Sequence, residues 1–212
     1  MKSLKLLIAI PLILVVLIMA SPAQSGTYNF SPATPDLEDL AHENYYTWGI
    51  NWNLPNGEII IGAFLVYKNI YDWTGEEDHL YTHLLDNVID PNGSTNPNWT
   101  QKNGYRTISI SGSDGDGGGD YFNGQGFLLG DWSDPYGGYA RNFDLVYPIP
   151  DTYFSWLSDG NFGFGIDPNC HYYNDKIEFR IITTHAPEPA TMFLLGSGLI
   201  GLAGLVKRKF RK

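Results

Sequence analysis

The side chains that could do chemistry fall into a few groups. Asp114-Gly115-Asp116-Gly117-Gly118-Gly119-Asp120 puts three carboxylates on a pliant loop. A hard cation such as Ca²⁺ takes roughly six to eight oxygens from curved backbone, so Asp114, Asp116 and Asp120 are candidate calcium ligands. The loop starts like an EF-hand, but Gln125 stands where the bidentate Glu should be. A solvated Gly-rich turn is the competing reading. Further along, Asp167-Pro168-Asn169-Cys170-His171-Tyr172-Tyr173-Asn174-Asp175 offers Asp167, Asn169 and Asp175 as a second candidate set, with Asn174 and Glu178 nearby. Asp and Asn in such a run also stabilise turns through their own backbone, which leaves a plain hairpin connection open.

Trp73, Trp99, Trp132 and Tyr136 sit beside Gly, Pro, Asn or Asp, in expected loops. Aromatic faces stack on sugar rings while neighbouring Asp and Asn hydrogen-bond hydroxyls, so Trp99, Trp132 and Tyr136 are candidate ligand-binding residues. Core plugs that pack turns are the alternative. His79 and His83 have a helical metal spacing, but in a strand they stand about 13 Å apart, too far to share one ion. Cys170 and His171 are adjacent, and in extended chain they face opposite ways, so Cys170 is read as a structural thiol. The run Asp36, Glu38, Asp39 and Glu43 is read as solvated. No catalytic residue is assigned, and no enzyme is expected.

The elements that must position these groups are short strands. Tyr46–Trp52 alternates large with small or polar side chains. Residues 58–68, 80–88, 105–111, 126–130, 144–147, 162–167 and 176–184 read as further strands, separated by Gly, Pro, Asn and Asp turns. Ile177, Phe179 and Ile181 should share one face. Residues 150–158 are expected to form one or two helical turns capped by Asp151, and residues 26–40 a loose lead-in. The expected class is all-β, an antiparallel β-sandwich of jelly-roll-like form, with an N-terminal signal helix and a C-terminal transmembrane helix.

The 212-residue chain has 13 Lys+Arg against 23 Asp+Glu. Seven of the basic residues sit at the two ends, so residues 26–186 keep six against 22 acidic ones, a net of −16. Nucleic acid is a poor partner for such a surface. The single cysteine cannot close an internal disulfide.

Both ends read as targeting devices. Residues 1–25 combine Lys2 and Lys5, an apolar stretch from Leu6 to Ala20, and small residues at Ser21, Ala23 and Ser25, the pattern of a secretory signal peptide. Residues 187–212 carry Pro187-Glu188-Pro189, an uncharged run from Ala190 to Val206, then Lys207, Arg208, Lys209, Arg211 and Lys212. The run, with Phe193, Leu194, Leu195, Leu199, Ile200, Leu202, Leu205 and Val206, makes a helix about 25 Å long, enough to span a thin hydrocarbon core. The terminal cations stop transfer on the cytoplasmic side.

These three parts in this order resemble the PEP-CTERM protein-sorting tail of Gram-negative bacteria. The resemblance implies export through the Sec machinery, transient anchoring in the inner membrane, and processing by an exosortase near Pro187-Glu188-Pro189. It also implies release to the cell surface or extracellular matrix, in an exopolysaccharide setting. Segments such as Tyr45-Tyr46-Thr47-Trp48-Gly49-Ile50 and Gly117-Gly118-Gly119-Asp120-Tyr121-Phe122 are similar to those of extracellular domains that precede such tails. The expectation is an exported, non-enzymatic surface or matrix protein of residues 26–186, adhesive in role, with calcium as the candidate stabilising ion. A carbohydrate-binding module or a carbohydrate-active hydrolase is the alternative.

Overall fold

The computed structural model describes residues 25–76, 78–87, 105–109, 119–134, 136–139, 142–186, 196–199 and 201. The expected signal helix, Trp99, Asp114, Asp116, the Pro187-Glu188-Pro189 signal, the basic terminus and the anchor residues other than Leu199 lie outside the described residues.

The strands are β1 (Ser25–Phe30), β2 (Asn44–Ile50), β3 (Glu58–Lys68), β4 (Tyr71–Asp72), β5 (Leu80–Leu85), β6 (Tyr105–Ser109), β7 (Phe127–Trp132), β8 (Leu145–Pro148), β9 (Phe162–Pro168), β10 (Tyr172–Tyr173) and β11 (Lys176–His185). They form a four-stranded sheet in the order β1-β11-β3-β8, a five-stranded sheet β6-β2-β9-β5-β7, and a two-stranded ribbon β10-β4. The pairs β2–β6, β2–β9, β5–β7, β5–β9 and β3–β8 are all antiparallel. The protein is mostly β and sandwich-like.

Period-two patterning builds the core. On β9, Phe162, Phe164 and Ile166 face inward, paired with Ile50, Trp48 and Tyr46 of β2. On β11, Ile177, Phe179 and Ile181 are fully buried, as the alternation requires. Phe179 packs on Phe164 and Phe162 at ring distances of 4.9 and 5.6 Å, which joins the two sheets. A polar contact crosses the same interior: the Tyr67 and Thr82 hydroxyls lie 3.0 Å apart.

Two expectations are corrected. Residues 26–40 are not a loose lead-in. Tyr28 and Phe30 of β1 pack on Trp52 at 5.0 and 6.1 Å, and Leu37 and Leu40 are fully buried. The apolar positions there are too sparse to show a period, yet each finds the core. Asp151 does not cap a helix with its side chain. It opens a 3₁₀ turn (Asp151–Tyr153) that leads into the single-turn α1 (Phe154–Ser158), and Pro150 holds the cap position.

Gly26–Thr183 forms one compact unit, and Ser25 with residues 184–201 belongs to a second. In the second unit residues 196–199 are helical and Leu199 is exposed. Among the described residues no helix is long and apolar enough to cross a membrane.

Candidate functional site

The ribbon β4–β10 gives the clearest sorting of chemistry by face. Asp72 pairs with Tyr172, and Tyr71 with Tyr173. The Trp73 N–H donates to the His171 carbonyl at 2.9 Å, which extends the pairing by one step. Alternation then sends Asp72 and Tyr172 inward, both fully buried, while Tyr71, Trp73, His171 and Tyr173 remain on the outer side. The outer rings form a row. Tyr71 stacks on Tyr173 at 5.2 Å, Trp73 lies 5.9 Å from Tyr173 and 6.2 Å from His171, and His171 meets His42 edge-on at 4.6 Å. Trp73 is 58% exposed, an area of apolar surface that a soluble fold does not need to leave open.

Leu40 holds β10 from its other side through a reciprocal backbone pair with Tyr172 at 3.0 and 2.9 Å. The approach to Leu40 is a tight left-handed turn, with φ of 54°, 63° and 56° at Leu37, Glu38 and Asp39. Such backbone costs about 1 kcal/mol or more per non-glycine residue and persists only where neighbours impose it. Asn174 is that neighbour. Its side-chain amide donates to the Asp36 carbonyl at 2.9 Å and its N–H to Asp39 Oδ1 at 3.3 Å.

Beside the ribbon opens a cleft of about 420 Å³, lined by Ile70, Tyr71, Trp132, Asp134, Asn142 and Phe143, with Tyr136 at the rim. Trp132 stacks on Phe143 at 5.8 Å and 17°, and Tyr136 is 61% exposed. Asp134 is buried and organises the loop. Its Oδ1 accepts the Tyr136 N–H at 2.9 Å and its Oδ2 the Asp72 N–H at 3.3 Å. The next turn is clamped too. The Gly138 N–H donates to the Asp72 carbonyl at 2.6 Å. A Cβ at Gly137 would overlap the Thr74 carbonyl at 1.3 Å, so only glycine fits. A concave apolar lining of rings with a few fixed polar groups is the usual make-up of a small-molecule site.

A third site lies on the outer face of the five-stranded sheet. Gly163 and Gly165 on β9 leave a trough beside His83 of β5 and Asp167. Phe122 fills it, fully buried, and a Cβ at Gly165 would stand 2.7 Å from its ring. Tyr121 stacks on Tyr45 at 3.9 Å. Asp120 Oδ2 takes a hydrogen bond from His83 Nε2 at 2.9 Å, and its Oδ1 accepts the Phe122 N–H at 2.9 Å. His83 Nδ1 faces the Gln125 carbonyl at 3.0 Å. Asp167 Oδ2 accepts the Tyr121 N–H at 2.7 Å. Residues 120–125 are therefore a strap tied down by His83 and Asp167.

Burial pushes the Asp167 carboxyl up to about 6, opposed by the Tyr121 N–H and helped by the Asp120 charge. The folded chain thus holds this proton more tightly than the unfolded one. The stabilisation is full below the ordinary value near 3.8 and is lost as pH rises through about 6. Buried Asp72, also pushed up to about 6, acts in the same sense. Glu178 and Asp144, held low by lysine and arginine partners, act oppositely and only in stronger acid. Metal-free protein is expected to melt higher at pH 5 than at pH 7.5, with a weaker slope in Asp167→Asn. A melting temperature that falls from pH 7.5 to pH 5 would contradict this.

The structure brings Asp120 and Asp167 from the two candidate calcium sets to the same strap, where backbone N–H groups and His83 take their oxygens. Asn169 and Asp175 lie elsewhere: the Asn169 N–H bonds the His79 carbonyl at 2.8 Å, and the Asp175 N–H the Lys68 carbonyl at 2.9 Å. His79 and His83 do not meet on one ion. Each takes its own carboxylate, His79 pairing with Asp131 at 2.7 Å. Trp132 and Tyr136 share the cleft. Sequence reasoning missed Tyr71, Asp134, Asn142 and Phe143 there, Tyr173 in the ring row, and the inward group Asp72, Asp78 and Cys170. The alternation in Tyr71-Asp72-Trp73 was the one available signal, over a stretch too short to register as a strand.

The described residues define a sandwich-like β protein with an aromatic cleft and ring row at one edge. The chain's sorting is written at its C-terminal end, where residues 185–209 match the PEP-CTERM protein-sorting motif. That motif implies an exported protein, processed by an exosortase and sorted to the cell surface. No curated protein matches the chain.

Proposed function

We propose that this exported, exosortase-sorted protein is a non-enzymatic surface or matrix component that holds neutral polysaccharide in the cleft of Tyr71, Trp132, Tyr136 and Phe143. One observation carries the reading: Trp132 and Phe143 stack in a cleft that Asp134 and Asn142 also line, next to an exposed ring row. The strongly acidic surface agrees with a neutral ligand, because an anionic polymer would be repelled. A retaining or inverting hydrolase needs two carboxylates about 5–10 Å apart across the cleft. Among the described lining residues Asp134 is the carboxylate, and both its oxygens already accept backbone N–H groups.

The test is retention of the exported protein on a glycan array and on isolated matrix exopolysaccharide, with calcium and with chelator. Selective retention on neutral glycans supports the reading. Retention on none of them overturns it in favour of a matrix role without a glycan ligand. Loss of retention in chelator alone would make calcium part of the site.

A further inference from the structure

The inner face of the ribbon presents a second piece of chemistry, next to the cleft and joined to it through Asp134 and Trp132. One ligand atom each from Asp72, Asp78 and Cys170 lie within 4.8 Å of one another. Atoms that close sit within about 2.8 Å of a common centre, so they reach zinc-ligand distances of about 2.0–2.3 Å by moving roughly half an ångström.

Thr74 orients both carboxylates. Its N–H donates to Asp72 Oδ1 and its hydroxyl to Asp78 Oδ2, each at 3.1 Å. The second oxygen of Asp72, Oδ2, is buried with no hydrogen-bond partner. The Tyr172 hydroxyl is also buried without a partner, in a residue with no exposed surface. Tyr172 pairs with Asp72 across the ribbon, on the same inward side. Asn169, next to Cys170, has a buried side-chain oxygen in the same condition. No Lys, Arg or His among the described residues forms an ion pair with Asp72 or Asp78. A buried carboxylate without a counter-charge is costly, and so is each unpaired polar atom around it.

A divalent cation supplies what is missing. Calcium is a poor match, because it takes oxygen ligands and a thiolate is a soft donor. Two carboxylates and one thiolate suit zinc and its neighbours. We propose that Asp72, Asp78 and Cys170 bind a divalent transition-metal cation of the zinc class, with the Tyr172 hydroxyl facing the bound ion. Binding replaces the thiol proton by the metal and releases that proton to solvent. The ion ties the 74–78 turn to the ribbon, and so fixes the outer row of Tyr71 and Trp73 from behind.

A second group complicates a simple titration: His42, Glu43 and His171, nearer the surface, also bring ligand atoms within 4.8 Å of one another. Cobalt separates the two. Cys170 is the one cysteine in the chain, so a thiolate-to-cobalt charge-transfer band in the near ultraviolet reports this site alone. Metal-stripped full-length protein titrated with Co²⁺ is expected to develop the band, and Zn²⁺ to abolish it by displacement. The band should persist in His171→Ala. Zinc should raise the melting temperature of the wild type and of His171→Ala, and do so at least tenfold less potently in Cys170→Ser. No band in the wild type overturns the proposal, as does a zinc response of undiminished potency in Cys170→Ser.

Discussion

Replacing Phe122 by alanine is expected to cost about 3–5 kcal/mol of stability, the usual loss for a buried phenylalanine. The ring has no exposed surface, lies edge-on to Tyr45 at 5.8 Å, and stands over the trough that Gly165 opens. Residue 165 brings no side chain of its own there, and a Cβ on it would meet the Phe122 ring at 2.7 Å. Loss of the ring should loosen the whole strap, since Asp120 and Tyr121 flank it and anchor to His83 and Asp167. For a chain of this size the melting temperature should fall by about 10 °C or more. Thermal unfolding gives the magnitude, and amide hydrogen exchange at Tyr121 and Phe122 gives the place. A loss below about 1 kcal/mol would mean that Phe122 does not seat as described.

The second large effect concerns release. Converting Pro187, Glu188 and Pro189 to alanines is expected to leave the protein in the membrane fraction of its host, with its cleft intact. The motif match at residues 185–209 implies processing there, and the substitution removes both prolines and the acid between them. Fractionation with an antibody to the folded region checks it. Release at the normal level would separate sorting from the Pro-Glu-Pro segment.

Sequence patterning carried much of the architecture because the sandwich strands obey a period of two. Residues 58–68 were legible as a strand because a β-branched, near-continuous apolar run from Ile59 to Tyr67 follows the turn at Pro55-Asn56-Gly57. Residues 176–184 were legible by their period, with Ile177, Phe179 and Ile181 on one face. The ribbon was not, since two-residue strands leave no period to read. The left-handed turn at Leu37–Asp39 was hidden as well, because none of its residues is a glycine or an asparagine. The site was legible only in kind. Trp132 and Tyr136 could be picked out as loop aromatics, but their common cleft depends on Tyr71 and Phe143, brought in by distant segments. Asp120 and Asp167 could be read as acidic ligands. That both also tie down a strap, through His83 and the Tyr121 N–H, depends on residues brought together from distant strands. The Asp72, Asp78 and Cys170 group was invisible for a related reason: Cys170 was judged by its neighbour His171, which faces the other way.

The central claim is that the cleft holds a polysaccharide. The most direct measurement is the dissociation constant of the exported protein for its retained glycan, compared with Trp132→Ala and with Ile59→Ala on the far sheet. Ile59 is exposed and outside the cleft, so its variant should bind as the wild type does. A stacked ring is worth about 0.5–1.5 kcal/mol beyond its buried area, so Trp132→Ala should bind several-fold to roughly tenfold more weakly. Equal affinities in all three proteins would contradict the account and place any glycan contact outside this cleft.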